Sequence, residues 1–389
     1  AIARAAEQQG IPSLMLSRPP LDAAIQGAGS GSGGGLLQLG HGARRHLVDG
    51  SVNPDDDSSD EPEAARALVG AIYPDPGDAR IPLVAVTGTN GKTTTTRMIA
   101  HVLEEAGFKT GVVTSEGIRL AGEPLTEGDS ATFMGHARVL TEPAIDAAVL
   151  EAHHRGIVIR GFAFQRCDVG ICLNVSADHI ARGEIETLEE MADVKAAIPE
   201  RASGAAILFA DDPHCRAMGP RMKAASTWWV SLDRSAEALA DLRGAGEAVF
   251  CTLEGRDGNN VGAVGGEEWI VIHRAGERLP LMPVTDIPAT YGGAARFMVS
   301  NAMHAAAATL ALGLEPAQVA NALAGFEAGE AMTPGRLNEV TGLPFRLILD
   351  FAHNPDGMAR LVEFTDRLPV EGRKLLALSG MAKRDDAIN

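Results

Sequence analysis

The chain has 389 residues, of which 45% are hydrophobic but only 4% aromatic, and its 44 glycines suit an α/β protein of several domains better than a β-sandwich. Its 34 basic residues against 51 acidic ones give a formal net charge of −17, which opposes nonspecific binding to nucleic acid or anionic lipid. No apolar run reaches the ~18 residues that span a bilayer, so we expect neither a nucleic-acid partner nor a membrane partner.

The cysteines give no sign of a metal site or a disulfide framework. Cys167, Cys172, Cys215 and Cys251 lack paired Cys-x-x-Cys spacing. No charged-then-apolar signal pattern is visible near residue 1. We therefore expect reduced core thiols in a cytoplasmic protein.

Residues 1–78 are predicted to form an N-terminal segment of short elements and linkers. A short helix and the apolar run 11–16 precede a Gly/Ser-rich stretch at 27–35, and an apolar patch at 36–42 precedes an acidic stretch at 54–62. Glycine and serine are typical of flexible linkers, and the acidic run is better explained as a solvated tether than as a metal site.

A phosphate-binding turn is predicted where the apolar run 81–86 breaks into Gly88-Thr-Asn-Gly-Lys-Thr-Thr94. The run has the β-branched, uncharged character of a buried parallel strand. The residues after the turn follow helical spacing at Met98, Ile99, Val102, Leu103 and Ala106. Glycines between a strand and a helix let the backbone approach an anion, which the helix N-terminus and a lysine attract.

The spacing is shorter than the usual G-x-x-x-x-G-K-[ST], because position 86 is valine and the first glycine is Gly88. A glycine–lysine turn without a ligand is the alternative. The agreement of strand, turn, lysine, hydroxyls and helix favours ATP, with Lys92 on the β- and γ-phosphates and Thr93 on Mg²⁺.

Further strands are predicted at 110–114, 144–150 and 168–174, and the last two lead into Glu151 and into Asp178-His179. Parallel strands place their carboxyl ends along one edge of a sheet, which is where open α/β folds bind ligands. The fold class predicted is therefore α/β, a P-loop-type doubly wound parallel sheet.

The rest of the chain adds an annex and a final domain. A helix at 187–198 carries Lys195, and short β-like pieces at 227–230, 248–252 and 269–272 predict a small antiparallel annex. An alanine-rich helix at 301–312 follows, then strands at 345–350 and 375–378. We predict a central ATP-binding domain at 79–333 and an incomplete C-terminal α/β domain at 334–389.

The ordered motifs resemble those of the Mur ligase superfamily over about three quarters of the chain. Several phrases are similar to the ligase half of the cyanophycin synthetase family: 84–96, 128–129, 147–151, 166–170, 174–179, 334–337 and 350–355. Two phrases depart from that family, since Leu150-Glu-Ala-His-His-Arg-Gly156 and Glu116-Gly117 stand where it usually has Leu-Glu-Thr-Ala-Arg-Gly-Gly and Asp-Gly. Substrate contacts are therefore expected to differ.

The resemblance implies a catalytic set of Lys92, Glu151, His179, Lys195 and Arg336. Mg²⁺ would be held by Thr93, Glu151 and His179, and Lys195 matches a helix position that is often a carbamylated lysine. Each has a simpler alternative: an ion pair with Arg155 for Glu151, a loop-capping role for His179, and a surface lysine for Lys195.

The resemblance also implies the nucleotide contacts. The phosphates would be bound by Gly88, Thr89, Asn90, Gly91, Lys92, Thr93 and Thr94. Asn301 would contact the base, Arg336 the phosphates, and Asp350, His353 and Asn354 the ribose and the closing domain. Ordinary capping and turn roles are the alternatives for this second group.

The implied function is an ATP-dependent ligase that joins a carboxylate to an amine or amino acid through an acyl phosphate, with release of ADP and phosphate. A degenerate ATP-binding module with a regulatory or assembly role and a P-loop kinase are the alternatives. A homo-oligomer is possible. Residues 334–389 are fewer than in a closing domain of this superfamily, which should bring residues such as His353, Lys383 and Arg384 over the acyl phosphate. We therefore expect ATP–Mg²⁺ binding with weak ligation or uncoupled hydrolysis, unless a partner chain or further C-terminal residues complete the lid.

Overall fold

The computed structural model describes residues 2–16, 35–50, 68–178, 185–233, 235–242, 244, 246–258, 267–329 and 332–379. The acidic stretch, Lys383, Arg384 and most of the Gly/Ser-rich stretch lie outside these residues. So does His179, one of the predicted metal ligands.

Helices and strands alternate through the central part of the chain. The helices are α1 (Ile2–Gln8), α2 (Lys92–Glu105), α3 (Phe133–Leu140), α4 (His154–Arg160), α5 (Leu188–Ala196), α6 (Pro213–Met218), α7 (Ala236–Leu239), α8 (Arg296–Ala311), α9 (Pro316–Ala324) and α10 (Pro355–Arg367). The strands are β1 (Ser13–Leu16), β2 (Gly35–Leu39), β3 (His46–Gly50), β4 (Leu83–Thr87), β5 (Thr110–Thr114), β6 (Gly117–Leu120), β7 (Glu123–Glu127), β8 (Ala147–Glu151), β9 (Cys167–Cys172), β10 (Ala202–Phe209), β11 (Ser226–Val230), β12 (Glu247–Gly255), β13 (Glu268–Arg274), β14 (Glu277–Pro283), β15 (Asn338–Val340) and β16 (Leu347–Leu349).

One large sheet dominates the described part of the chain, with the strand order β14-β13-β12-β11-β10-β9-β4-β8-β5-β6-β7. From β12 to β5 all neighbouring strands are parallel, and antiparallel strands extend both edges. This confirms the predicted α/β class with a mostly parallel sheet. Strand β4 lies between β8 and β9, so the chain leaves β4 at a switch point where a crevice opens.

The predicted antiparallel annex is wrong in part. Residues 227–230 and 248–252 belong to β11 and β12, which pair in parallel and continue the main sheet. Only β13 and β14 are antiparallel there. Short apolar pieces between turns carry the same local pattern in both arrangements, so the pairing direction depends on tertiary contacts that the sequence pattern does not contain.

Burial explains why the central strands read as unbroken apolar runs. Each residue of β4 and of β8 is buried, and α2, α8 and α9 pack against one another over the sheet. The N-terminal strands β1 to β3 form a separate antiparallel sheet whose small core includes Ile11, Leu39 and Tyr73. The four cysteines are buried free thiols, as expected.

The C-terminal strands are shorter than predicted. The strand expected at 345–350 comprises only β16, paired with β15, and residues 375–378 form no strand. Leu375 is 85% exposed. An apolar run needs a neighbouring strand to pair with, and the described residues supply none there. In the same described ranges, no helix is both long and apolar enough to cross a membrane.

Gly170 in β9 packs closely against the backbone that follows α5, and a substitution there tests this packing. A Cβ at this glycine would lie 2.7 Å from the carbonyl oxygen of Ile198 and 2.8 Å from Cα of Pro199, just beyond α5. We expect Gly170→Ala to lower the free energy of unfolding by about 1–3 kcal/mol through overpacking, as measured by urea unfolding. Gly329→Ala, where a Cβ meets nothing within 4 Å, is the control. Equal stability of the two variants would contradict this packing.

Candidate functional site

A cleft of about 750 Å³ lies at the carboxyl edge of the parallel sheet. Its wall contains residues that directly follow or end central strands: the turn after β4, Ser115 after β5, Glu151 at the end of β8 and Asn174 after β9. Among the predicted site residues, the cleft is lined by Gly88, Thr89, Asn90, Gly91, Lys92, Thr93, Thr94, Glu151, Lys195, Asn301, Arg336, Asp350 and His353. Asn354 lies beside the cleft, and its side-chain amide donates a hydrogen bond to the side-chain oxygen of Asn90.

The glycine-rich turn is held open by Asn174. The Asn174 side-chain oxygen accepts hydrogen bonds from the backbone N–H groups of Thr89 (3.1 Å) and Asn90 (2.9 Å), and its amide donates to the Asn90 carbonyl at 3.1 Å. Helix α2 then starts after Gly91, at φ 87°, without a side-chain cap. The first N–H groups of a 14-residue helix are therefore left for an anion.

Gly91 is required by two features of the turn. Its positive φ favours glycine, and an added Cβ would collide with the side-chain oxygen of Asn301 on α8. Asn301 is buried, and its amide lies 3.7 Å from the sulfur of Met298. Its assignment to the nucleotide base stays a prediction.

Thr93 and Glu151 form a pair of oxygen donors at the start of α2. The Thr93 hydroxyl donates to Glu151 Oε2 at 2.9 Å and lies 3.1 Å from the Ser115 hydroxyl, while the Ser115 N–H donates to the same carboxylate at 3.1 Å. Glu151 is 1% exposed and makes no ion pair with Arg155 among the described contacts. Hydroxyl and carboxylate oxygens are what Mg²⁺ prefers, so these residues fit the expected ion.

Lys195 is not a surface lysine. The side chain is 2% exposed, and its ammonium donates to the Thr89 hydroxyl at 2.6 Å. Burial, together with the nearby positive charge of Lys92, lowers the pKa of Lys195 to about 8. The sequence pattern of α5 did not reveal the burial of Lys195. Lys195 lies in the last turn of this helix, where a basic residue is common whether it faces solvent or the protein.

Lys92 and Arg336 add positive charge to the same cleft. The Lys92 ammonium donates to the Thr89 carbonyl at 2.9 Å. Burial lowers the pKa of Lys92, the nearby Glu151 carboxylate opposes that shift, and Arg336 adds to it. The guanidinium of Arg336 lies 5.2 Å from the ring centre of Phe351. An anion between these cations would relieve their mutual repulsion.

The segment after β16 contacts the turn directly. Asn354 caps α10 by accepting from the Gly357 N–H at 2.8 Å, and its amide donates to Asn90 at 2.9 Å and to Asp178 at 3.1 Å. The amide of Asn90 donates to Asp356 at 2.8 Å.

His353 and Asp350 complete this region. His353 Nε2 lies 3.6 Å from Asp178 Oδ2. The two carboxylate oxygens of Asp350 accept from the N–H groups of Leu337 (3.1 Å) and Ala352 (2.8 Å), and burial raises its pKa. The Asp350 carboxylate therefore links the backbone at Leu337 to the backbone at Ala352. Its contact with the ribose stays a prediction.

Sequence reasoning missed three contributors. Asn174 and Asp178 stood inside a motif from which only His179 was chosen, and Ser115 gave no signal at all. The described residues contain no group of three or more His, Cys, Asp or Glu side chains that could hold a metal ion. The set of Thr93, Glu151 and His179 stays an untested prediction, because His179 lies outside the described residues.

Comparison with known proteins agrees with this geometry. The Mur ligase middle domain family matches residues 86–309, from the end of β4 to the last turn of α8. The chain belongs to this Mur ligase family. The matched region contains the turn, Glu151, Lys195 and Asn301.

Curated ligases and synthetases with two different names are similar to the chain. The chain is 33% identical over 324 residues to a cyanophycin synthetase of Crocosphaera subtropica, covering 83% of this chain and 35% of that protein. It is 31% identical over 328 residues to the UDP-N-acetylmuramoyl-L-alanyl-D-glutamate–2,6-diaminopimelate ligase of Gloeobacter violaceus, covering 82% and 59%. This Mur ligase chain thus spans about a third to three fifths of the length of these curated relatives.

A solved structure supports the fold. E. coli FolC, in a complex with DHPP and ADP, superposes with a TM-score of 0.50 at 22% identity, covering 75% of this chain and 67% of FolC. Such a likeness shows a shared architecture for the Mur ligase family and FolC.

The depressed pKa of Lys195 predicts a pH-dependent stability. The unfolded chain keeps this proton up to about 10.5, whereas the folded chain loses it near 8, so unfolding binds a proton between these values and stability rises with pH across that window. We expect Lys195→Met to remove a rise of about 3 kcal/mol, measured by urea unfolding from pH 7 to 10.5 in carbon dioxide-free buffer. The exposed Lys109→Met is the control. Identical pH profiles for Lys195→Met and the unsubstituted chain would contradict the buried charge.

Proposed function

We propose that this chain carries out ATP-dependent amide-bond formation between a carboxylate and an amine, in the manner of the cyanophycin synthetase ligase half. The observation that carries the proposal is one cleft that combines an uncapped helix N-terminus, the Thr93–Glu151 oxygen pair, the cations Lys92 and Arg336, and the buried Lys195. Membership of the Mur ligase family supports it, as does ADP in the related fold of FolC.

In the first step, a carboxylate oxygen of the substrate attacks the γ-phosphorus of ATP, the bond to the β-phosphate oxygen breaks, and ADP leaves. Lys92 and the N–H groups at the start of α2 hold the phosphates while charge shifts toward the leaving oxygen. Arg336, which also lines the cleft, neutralises the transferring group. Positioning and charge neutralisation are what phosphoryl transfer requires of a protein.

In the second step, the ammonium group of the amine substrate loses a proton to water and the neutral amine attacks the acyl carbon. The carbon–oxygen bond to phosphate breaks, and the nitrogen gives its second proton to the leaving phosphate. Phosphate leaves with the electron pair of that bond. Bound Mg²⁺, for which Thr93 and Glu151 supply oxygens, would neutralise phosphate charge. The segment containing Asn354 contacts the turn and shields the acyl phosphate from water.

The substrates are proposed by class. Phosphates enter near α2, and the carboxylate and the amine or amino acid enter from the open part of the cleft beside α4. A relative is named for 2,6-diaminopimelate, which makes an amino acid a reasonable amine to test first. Buried free thiols and the use of ATP suit the cytoplasm as the place of reaction.

The decisive experiment follows ¹⁸O from a labelled carboxylate into inorganic phosphate, with a panel of amino acids and short peptides supplied together with ATP and Mg²⁺. We expect label in the phosphate and one amide per phosphate released. Phosphate release without label transfer would rule out an acyl phosphate. ATP binding without turnover under every condition would favour a regulatory or assembly module.

Lys92→Met should reduce ATP turnover at least about 10³-fold, because an unneutralised phosphate raises the barrier by several kcal/mol. Far-UV circular dichroism should stay unchanged, since the turn is shaped by Gly91 and Asn174. Lys109→Met, which replaces an exposed lysine, should retain full turnover. A folded Lys92→Met protein with normal phosphate release would remove the turn from the mechanism.

Lys195 is proposed to act as its carbamate. A neutral amine is the form that reacts with carbon dioxide, and the lowered pKa makes that form accessible near neutral pH. Lys195→Ala should lose most amide formation and recover part of it with a short-chain carboxylic acid. Mass spectrometry under bicarbonate should find the modification on the unsubstituted chain. Full activity in Lys195→Ala would refute the role.

A further inference from the structure

Two neighbouring side chains that line the cleft have no assigned role in nucleotide binding. Asp129 stands between β7 and α3, and His153 is the residue before α4. Both line the cleft. The first belongs to a motif, Gly128-Asp129, to which the sequence assigned no role, and the second belongs to the phrase that departs from the cyanophycin synthetase pattern.

The Asp129 carboxylate is fixed in direction yet open to solvent. Its Oδ1 accepts from the N–H of Ala131 at 3.2 Å, and its Oδ2 lies 3.3 Å from Nε2 of His153. His153 is itself oriented, because its Nδ1 accepts from the N–H of Gly156 at 3.1 Å and caps α4. The Asp129 side chain nevertheless remains 58% exposed.

The other carboxylates of the cleft are engaged elsewhere. Glu151 accepts from Thr93 and Ser115, Asp178 accepts from Asn354, and Asp350 accepts from two backbone N–H groups. Asp129 is thus the carboxylate with the most room for a ligand among the described residues that line this cleft.

The charge of the cleft creates a need for such a group. Lys92, Arg155, Arg336 and Arg360 all line it and favour anionic substrates. The amine, in contrast, arrives as a cation, since α-amino groups titrate near 8 and alkylamines above 10. A fixed negative charge favours the entry of a cation into such a cleft.

Two observations place Asp129 suitably for that cation. Its charge is felt by Lys92, whose ammonium we assign to the phosphates, so it lies within electrostatic range of the place where the acyl phosphate forms. The contact with His153 chiefly lowers the pKa of Asp129, which keeps the carboxylate ionised. A metal ion is less well served, because the described residues offer no third metal ligand beside this pair.

We propose that Asp129, positioned by His153, binds the ammonium group of the incoming amine and so forms the amine subsite of the cleft. The assignment rests on the proposed ligase function. Asp129 is the binding residue, and His153 acts through it.

The test separates the amine from the acyl phosphate. Hydroxylamine is uncharged at neutral pH and traps acyl phosphates as hydroxamates, whereas 2,6-diaminopimelate, L-lysine and L-arginine each carry a protonated α-amino group. Each is supplied at varied concentration, with ATP, Mg²⁺ and the carboxylate panel, to the unsubstituted chain and to Asp129→Asn. We expect Asp129→Asn to raise the KM for the cationic amine about tenfold or more and to leave hydroxamate formation unchanged.

Matched variants control for folding and for charge. Asp129→Glu should recover much of the amine affinity, and Glu127→Gln, on the exposed end of β7, should behave as the unsubstituted chain. His153→Asn retains a helix cap and should raise the KM for the amine less than Asp129→Asn does. An unchanged KM in Asp129→Asn, or an equal loss of hydroxamate and amide, would overturn the subsite.

Failure of the ligase function has a different signature. In that case the unsubstituted chain itself forms neither hydroxamate nor amide. The subsite is then judged by binding alone, through saturation-transfer NMR of the same three amines with both proteins in the presence of ATP. Loss of the transfer signal in Asp129→Asn would support the subsite, and equal signals, or none in either protein, would overturn it.

Discussion

The crowding of positive charge at the end of β4 is the constraint on which the site depends. Lys92 and Lys195 both make contact with Thr89, one through its carbonyl and the other through its hydroxyl. Arg336 contributes to lowering the pKa of Lys92, and Lys92 in turn contributes to lowering the pKa of Lys195. Such an arrangement costs free energy without an anion, since burial and like charges both disfavour the ionised amines. A polyphosphate would recover that cost, so affinity for the ligand and strain in the free protein have the same origin.

The turn can hold this arrangement because a second layer supports it. Asn174 fixes the two N–H groups before the helix, and Asn354 reaches the same turn from the far end of the chain. Asn90 therefore joins the sheet, through Asn174, to the C-terminal segment. A change in the turn on nucleotide binding would be transmitted to that segment through two amide side chains rather than through flexible loops. The polar contacts are direct, so the coupling has a physical path.

Local patterns predicted the elements but not all of their partners. Strand β4, the turn and α2 could be derived because apolar periodicity, glycine and lysine lie within one short stretch. The burial of Lys195 could not, because a lysine in the last turn of a capped helix looks the same whether solvent or Thr89 faces it. The parallel pairing of β11 with β12 was missed since short strands carry no sign of direction. An apolar run at 375–378 satisfied the strand pattern and still forms no strand.

Contacts between distant residues were beyond sequence reasoning for the same reason. Asp129 and His153 are brought together by the path of the chain through α3 and β8, and neither residue carries a periodic signal of the other. The family resemblance supplied the proposed nucleotide contacts, where the motifs are shared. It was least informative around His153, where the phrase differs. Residues that select a substrate are expected to differ among relatives, so a departure from the pattern can mark them.

The negative net charge of the chain means that the cations of the cleft must supply the attraction for an anionic ligand. A net charge of −17 would repel the proposed anionic ligands, ATP and a carboxylate, at long range, although salt limits that field to about 8 Å under physiological conditions. Attraction must therefore come from fixed cations close to the ligand, and the cleft provides them on several sides. The same local field would exclude the amine. The proposed Asp129 subsite would add a fixed negative charge to the same cleft, within reach of the charge of Lys92, so that an anionic substrate and a cationic one could meet there.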